Sequence, residues 1–75
     1  MSKQPVRQRA VIDSIASARR ESGLSQRELS EQLGEAINFI QRIESGERNV
    51  SVVEFISIAK AIGVDPCDML RRALR

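Results

Sequence analysis

The sequence predicts an all-α domain of five helices. Apolar residues recur at helical spacing along most of the chain, and Gly23, Gly34, Gly46 and Gly63 each fall where such a segment ends. Ser25 with Glu28, Ser51 with Glu54, and Asp65 with Pro66 mark three of the four later helix starts. No strand is predicted, and 75 residues suffice for one small domain only. The division expected is a basic tail over 1–5 and a single compact domain over 6–75.

The first helix is expected near 6–22, with Val11, Ile12, Ile15, Ala18 and Arg19 on one face. The second is expected near 25–33. There Ser25 and Glu28 have capping-box spacing, Leu24 and Leu29 form an apolar staple across the start, and Leu29 and Leu33 face inward. Gly34 supplies the sharp turn, a position where a left-handed backbone favours glycine. The third helix is expected near 36–45 with Ile40 and Ile43 inside. The fourth, near 51–62, repeats the box with Ser51 and Glu54 and the staple with Val50 and Phe55. Its inward set is expected to be Val52, Phe55, Ile56, Ala59 and Ile62. The fifth, near 65–74, opens on Asp65 as cap, Pro66 in the first turn and Asp68 near the positive helix end.

Composition narrows the function. There is no histidine and one cysteine, Cys67, so neither imidazole acid–base chemistry, a disulfide within the chain nor a cysteine zinc site is expected. No catalytic residue, metal or cofactor is predicted, and the chain is not expected to be an enzyme. No long apolar run suggests a membrane span and no secretory signal is apparent, so a cytoplasmic protein is expected. The net charge of +2 is uneven: residues 1–27 hold six basic against two acidic side chains, 28–68 three against eight, and 69–75 three against none. The acidic middle argues against indiscriminate attraction to nucleic acid, so any DNA affinity must depend on geometry.

Residues 26–44 read as a helix-turn-helix, with Ser30 as the small residue facing the partner helix and Leu29, Leu33, Ile40 and Ile43 locking the pair. With the segments "ESGLSQRELSEQLG", "LGEAINFIQRIESG", "FIQRIESGERN" and "AKAIGVDP" in this order, about residues 11 to 70 resemble the lambda-repressor/Cro-like family, also called the xenobiotic response element family. The resemblance implies a compact five-helix DNA-binding domain. It implies that Gln26 grips a phosphate and braces the recognition helix, while Ile37, Asn38 and Arg42 face base edges with Ala36 and Gln41 beside them. It further implies a buried ion pair between Arg19 and Glu44.

The residue types agree with that assignment. Asparagine pairs bidentately with adenine, arginine with guanine, and an isoleucine can meet a thymine methyl in the major groove. Phosphate contacts are expected from Gln26, Arg27, Ser45, Arg48 and Asn49, and Lys3, Arg7 and Arg9 suit a basic arm. One departure stands out. After Gly34 similar proteins carry an apolar residue and then a serine or threonine cap, whereas this chain has Glu35 and Ala36. An acid there favours contact with cytosine N4, or turns the surface toward a protein.

The expected function is sequence-specific regulation of transcription by a homodimer on a two-fold symmetric operator in double-stranded DNA, as a repressor, with no small-molecule effector. The alternative is an antitoxin-like module that neutralises a partner toxin. The expected dimer contact is the fifth helix: Met69 and Leu74 at the interface, Val53 and Cys67 beside them, and Leu70 packed inward.

Overall fold

The structure is a computed structural model that describes residues 6–75, with side chains from residue 8 onward. Five helices follow one another: α1 (Val6–Glu21), α2 (Gln26–Gln32), α3 (Phe39–Glu44), α4 (Val52–Ile62) and α5 (Pro66–Ala73). No strand occurs among the described residues. The starts of α2 and α4 are closed by complete capping boxes: the Ser25 and Ser51 hydroxyls accept from the Glu28 and Glu54 amides, and each glutamate accepts from its serine's amide. Asp65 caps α5 through the Cys67 amide, with Pro66 in the first turn. These bonds satisfy amides that a helix start otherwise leaves without partners.

One core lies between α1, the α2–α3 pair and the α4–α5 pair. Ile15, Leu29, Ile40, Ile43, Ile58, Ala59 and Met69 are fully buried there, joined by Ala18, Phe39 and Phe55. Two expectations need correction. On α4 the inward stripe runs through Phe55, Ile58, Ala59 and Ile62, leaving Val52 at 75% and Ile56 at 39% exposure. On α5 Met69 is completely buried, whereas Leu70 is 43% exposed. Residues 69 and 70 differ by about 100° around a helix, so only one can face α1 and α4. Met69 shares its inward side with Pro66 and Ala73, spaced three and four residues away, and its unbranched thioether fills the gap.

The third helix also differs from its expected span. It begins at Phe39, three residues later than 36, and Ala36, Ile37 and Asn38 form the turn that leads into it. Ala36 has no side-chain acceptor for a helix-start amide. Its carbonyl instead receives the Phe39 amide at 2.9 Å, and Asn38 occupies the cap position with no side-chain cap bond. Gly34, at φ 72°, turns the chain between the two helices in the left-handed region expected for it.

Candidate nucleic-acid interface

The short third helix is held from behind by a buried polar cluster. Arg19 Nε and Nη2 donate to the two Glu44 carboxylate oxygens at 2.7 and 3.0 Å, and Arg19 Nη1 donates to the Leu24 carbonyl at 2.8 Å. Gln26 Nε2 donates to Glu44 Oε1 at 2.8 Å. The Arg19 and Glu44 side chains are 10% and 7% exposed, so α1, the start of α2 and the end of α3 meet at one desolvated carboxylate. A bidentate guanidinium–carboxylate pair fixes orientation as well as distance, which a single hydrogen bond does not. Among the described residues this bond uses one Gln26 Nε2 proton, so its amide keeps capacity for a further donor bond.

Ser30 supplies what the sequence of α3 lacks. Its hydroxyl donates to the Gln26 carbonyl at 2.8 Å and accepts the buried Ile40 amide at 3.0 Å. Ile40 lies in the first turn of α3, where no intrahelical acceptor exists. Left unpaired and buried, that amide would cost roughly 1–3 kcal/mol. The start of α3 is thus capped from the second helix rather than by its own flank. Size alone suggests only that Ser30 fits; the hydroxyl's role depends on a contact ten residues away.

On the solvent side Glu35, Ala36, Ile37, Asn38, Gln41 and Arg42 are all exposed, Ile37 to 56%. Ala36, Ile37 and Asn38 project from the turn before α3, and Gln41 and Arg42 from the helix itself. The Asn38 carbonyl accepts the Arg42 amide at 3.0 Å, so the two residues stand one turn apart. Turn and helix therefore present one continuous surface that combines amide, guanidinium and aliphatic groups.

The residues expected at phosphates fall into two sets. Arg27 is exposed and pairs with Glu31 at 3.4 Å, a weak i,i+4 surface pair. Ser45 is exposed and donates to the Arg42 carbonyl at 3.0 Å. Asn49 is exposed and its side-chain oxygen accepts from Gln8. Arg48 is different. It pairs bidentately with Glu54 at 2.9 and 2.8 Å, donates to the Asn49 carbonyl at 2.9 Å, and lies 4.7 Å from the centre of the Phe39 ring. These contacts brace α3 against the cap of α4, while the Arg48 side chain stays 34% exposed. Of the basic arm, Arg9 pairs with Asp13 at 3.5 Å; Lys3 and the Arg7 side chain lie outside the described residues.

The Arg48 pair leaves a signature in pH dependence. The Arg48 hydrogen bonds, then those of the Ser51 backbone, hold Glu54 at about 2, below its ordinary 4.5. Its contribution to folding is therefore whole above about pH 4.5 and lost as pH falls toward 2. In urea titrations the stability gap between the wild type and Glu54→Gln should be widest at neutral pH and shrink across that interval. A gap that does not vary with pH would refute this role for the pair.

Of the side chains expected at a dimer contact, Leu74 is 58% exposed, Cys67 is exposed, and Met69 is not accessible. Cys67, Leu70 and Leu74 are spaced for one outer stripe of α5. Leu70 and Val52 border a mostly apolar recess of about 260 Å³ with Val11, Val50 and Phe55. Val53 lines a separate recess, with Leu33, Glu35 and Phe39. No helix among the described residues is long and apolar enough to cross a membrane.

Comparison with known proteins agrees with this architecture. The helix-turn-helix family HTH_3 matches residues 15–69. An uncharacterized HTH-type transcriptional regulator, y4dJ of Sinorhizobium fredii, is 32% identical over 60 residues, 80% of this chain and 78% of that one. An XRE-family like protein from Pseudomonas syringae pv. tomato superposes with a TM-score of 0.85 at 34% identity, covering 91% of this chain and 83% of the other. The clp gene regulator ClgR from Corynebacterium glutamicum gives 0.83 at 26% identity, covering 96% and 92%. With the family match spanning most of the chain and the five helices arranged as in these relatives, the protein belongs to the XRE-type helix-turn-helix family of DNA-binding transcriptional regulators.

Proposed function

We propose that this protein is a sequence-specific regulator that reads an operator in the major groove with Ile37, Asn38 and Arg42, flanked by Ala36 and Gln41, and represses its own or an adjacent promoter in the cytoplasm. The observation that carries this reading is the contrast between the two sides of α3: a desolvated Arg19–Glu44–Gln26 cluster behind it and an exposed amide–guanidinium–aliphatic set in front. A reading surface must be held rigidly to distinguish base edges, and the buried cluster supplies that rigidity. Gln26, Arg27, Ser45, Arg48 and Asn49 serve as phosphate contacts around it.

Two copies act together. One reading helix spans few base pairs, whereas a two-fold dimer sets its half-sites about 34–36 Å apart and doubles the contacts. The exposed Leu70 and Leu74, with Val52 beside the apolar recess, are the surface for the second copy, and Cys67 lies on the same stripe. Activity is then set by concentration and dimerisation rather than by an effector.

Selection of bound duplexes from a random pool tests half-site sequence and spacing together. On the selected duplex, Asn38→Ala or Arg42→Ala should each cost roughly 1–3 kcal/mol and relax preference at particular base pairs, with far less loss on random DNA. Arg27→Ala should weaken both DNAs alike and lower the salt slope by about one. Equal losses on both DNAs for all three substitutions would refute the division between base and phosphate contacts.

A further inference from the structure

Arg42 does not stand alone on the exposed side of α3. Its Nε lies 3.3 Å from Glu47 Oε2, with the two side chains 44% and 58% exposed. The backbone produces this approach. Gly46, at φ 84°, turns the chain after the helix, and the Arg48 amide comes back to donate to the Arg42 carbonyl at 3.1 Å. Glu47 sits inside that turn, its own amide 3.4 Å from Ser45 Oγ. Neighbouring acids are used otherwise: Glu44 is buried in the Arg19 cluster, and Glu54 holds Arg48 and the cap of α4. Among the described residues, Glu47 is the acid whose carboxylate pairs with a side chain of this surface.

We propose that Glu47 is a specificity-determining residue, an internal carboxylate that occupies Arg42 until a base edge with two acceptors displaces it. The inference rests on the reading of Arg42 as a base contact. An exposed pair whose nearest approach is 3.3 Å is weak enough to open on binding. On unselected DNA, Arg42 would exchange this carboxylate for a phosphate, one charged acceptor for another. It would also leave Glu47 unpaired within a Debye length of the polyanion. On a guanine, O6 and N7 together accept two hydrogen bonds from the guanidinium, whereas Glu47 approaches the Arg42 Nε at 3.3 Å, longer than a charge-assisted hydrogen bond. The carboxylate therefore opposes binding to random DNA more than binding to the operator.

Glu47→Gln keeps the shape and removes the charge. Its affinity should be measured by fluorescence anisotropy over a salt series, on a random-sequence duplex and on the duplex selected by the wild type, with circular dichroism to verify folding. The random duplex should bind about three- to tenfold more tightly, with a salt slope steeper by up to about one, and the selected duplex should gain less. In an Arg42→Ala background the gain from Glu47→Gln should fall to less than about half on a logarithmic scale. An unchanged affinity for the random duplex, equal gains on both duplexes, or an undiminished gain without Arg42 would each overturn the proposal. If the wild type itself binds selected and random duplexes alike, the base-reading role of Arg42 fails and this inference falls with it.

Discussion

Glu44→Ala is expected to lower folding stability by roughly 3–5 kcal/mol, because it leaves a buried guanidinium without its counter-charge. Arg19 would retain only the Leu24 carbonyl, and the Gln26 amide would lose its acceptor in the same step. Domains of this length have total stabilities of roughly 4–11 kcal/mol, so the variant should be largely unfolded or close to it at 37 °C. Urea unfolding followed by circular dichroism measures the loss, and a value below about 1 kcal/mol would reject the cluster as a structural element. A second variant separates charge from connectivity. Replacing Arg19 with methionine and Glu44 with leucine together should recover much of the loss, since apolar pairs of similar volume often match a buried ion pair. The double variant should still bind the selected duplex poorly, because α3 would lose the bidentate contact that orients it.

The second large effect is expected on α5. Met69→Glu should unfold the domain: truncating a buried methionine alone costs roughly 2–5 kcal/mol, and an acid at that site adds the penalty of an unpaired buried group. Leu70→Glu, one residue further, should remain folded, since Leu70 is 43% exposed and surface substitutions typically change stability by about 0.5 kcal/mol or less. If Leu70 borders the contact with the second copy, the same variant should sediment as a monomer and bind the selected duplex much more weakly. Circular dichroism and sedimentation equilibrium decide both points. A folded Met69→Glu protein would contradict the core assignment, and a fully dimeric Leu70→Glu protein would remove α5 from the interface.

These predictions divide as the information in the chain divides. The sequence by itself determined the number and order of helices, the two capping boxes, the Asp65–Pro66 start and the turn at Gly34. Each depends on residues within about four positions of one another, where backbone hydrogen bonds and φ preferences act whatever the rest of the chain does. Resemblance to a known family also pointed to Arg19 with Glu44 and to the exposed set along α3 and the turn before it. Periodicity could not choose between Met69 and Leu70 or between Ile56 and Ile58, because both members of each pair are apolar and the neighbouring helices decide which is covered. Tertiary structure alone paired Arg48 with Glu54 and Phe39. It also set the start of α3, since the acceptor for the Ile40 amide is the Ser30 hydroxyl, ten residues earlier in the chain. In each of these cases a side chain's role is fixed by competition among partners that only packing brings within reach.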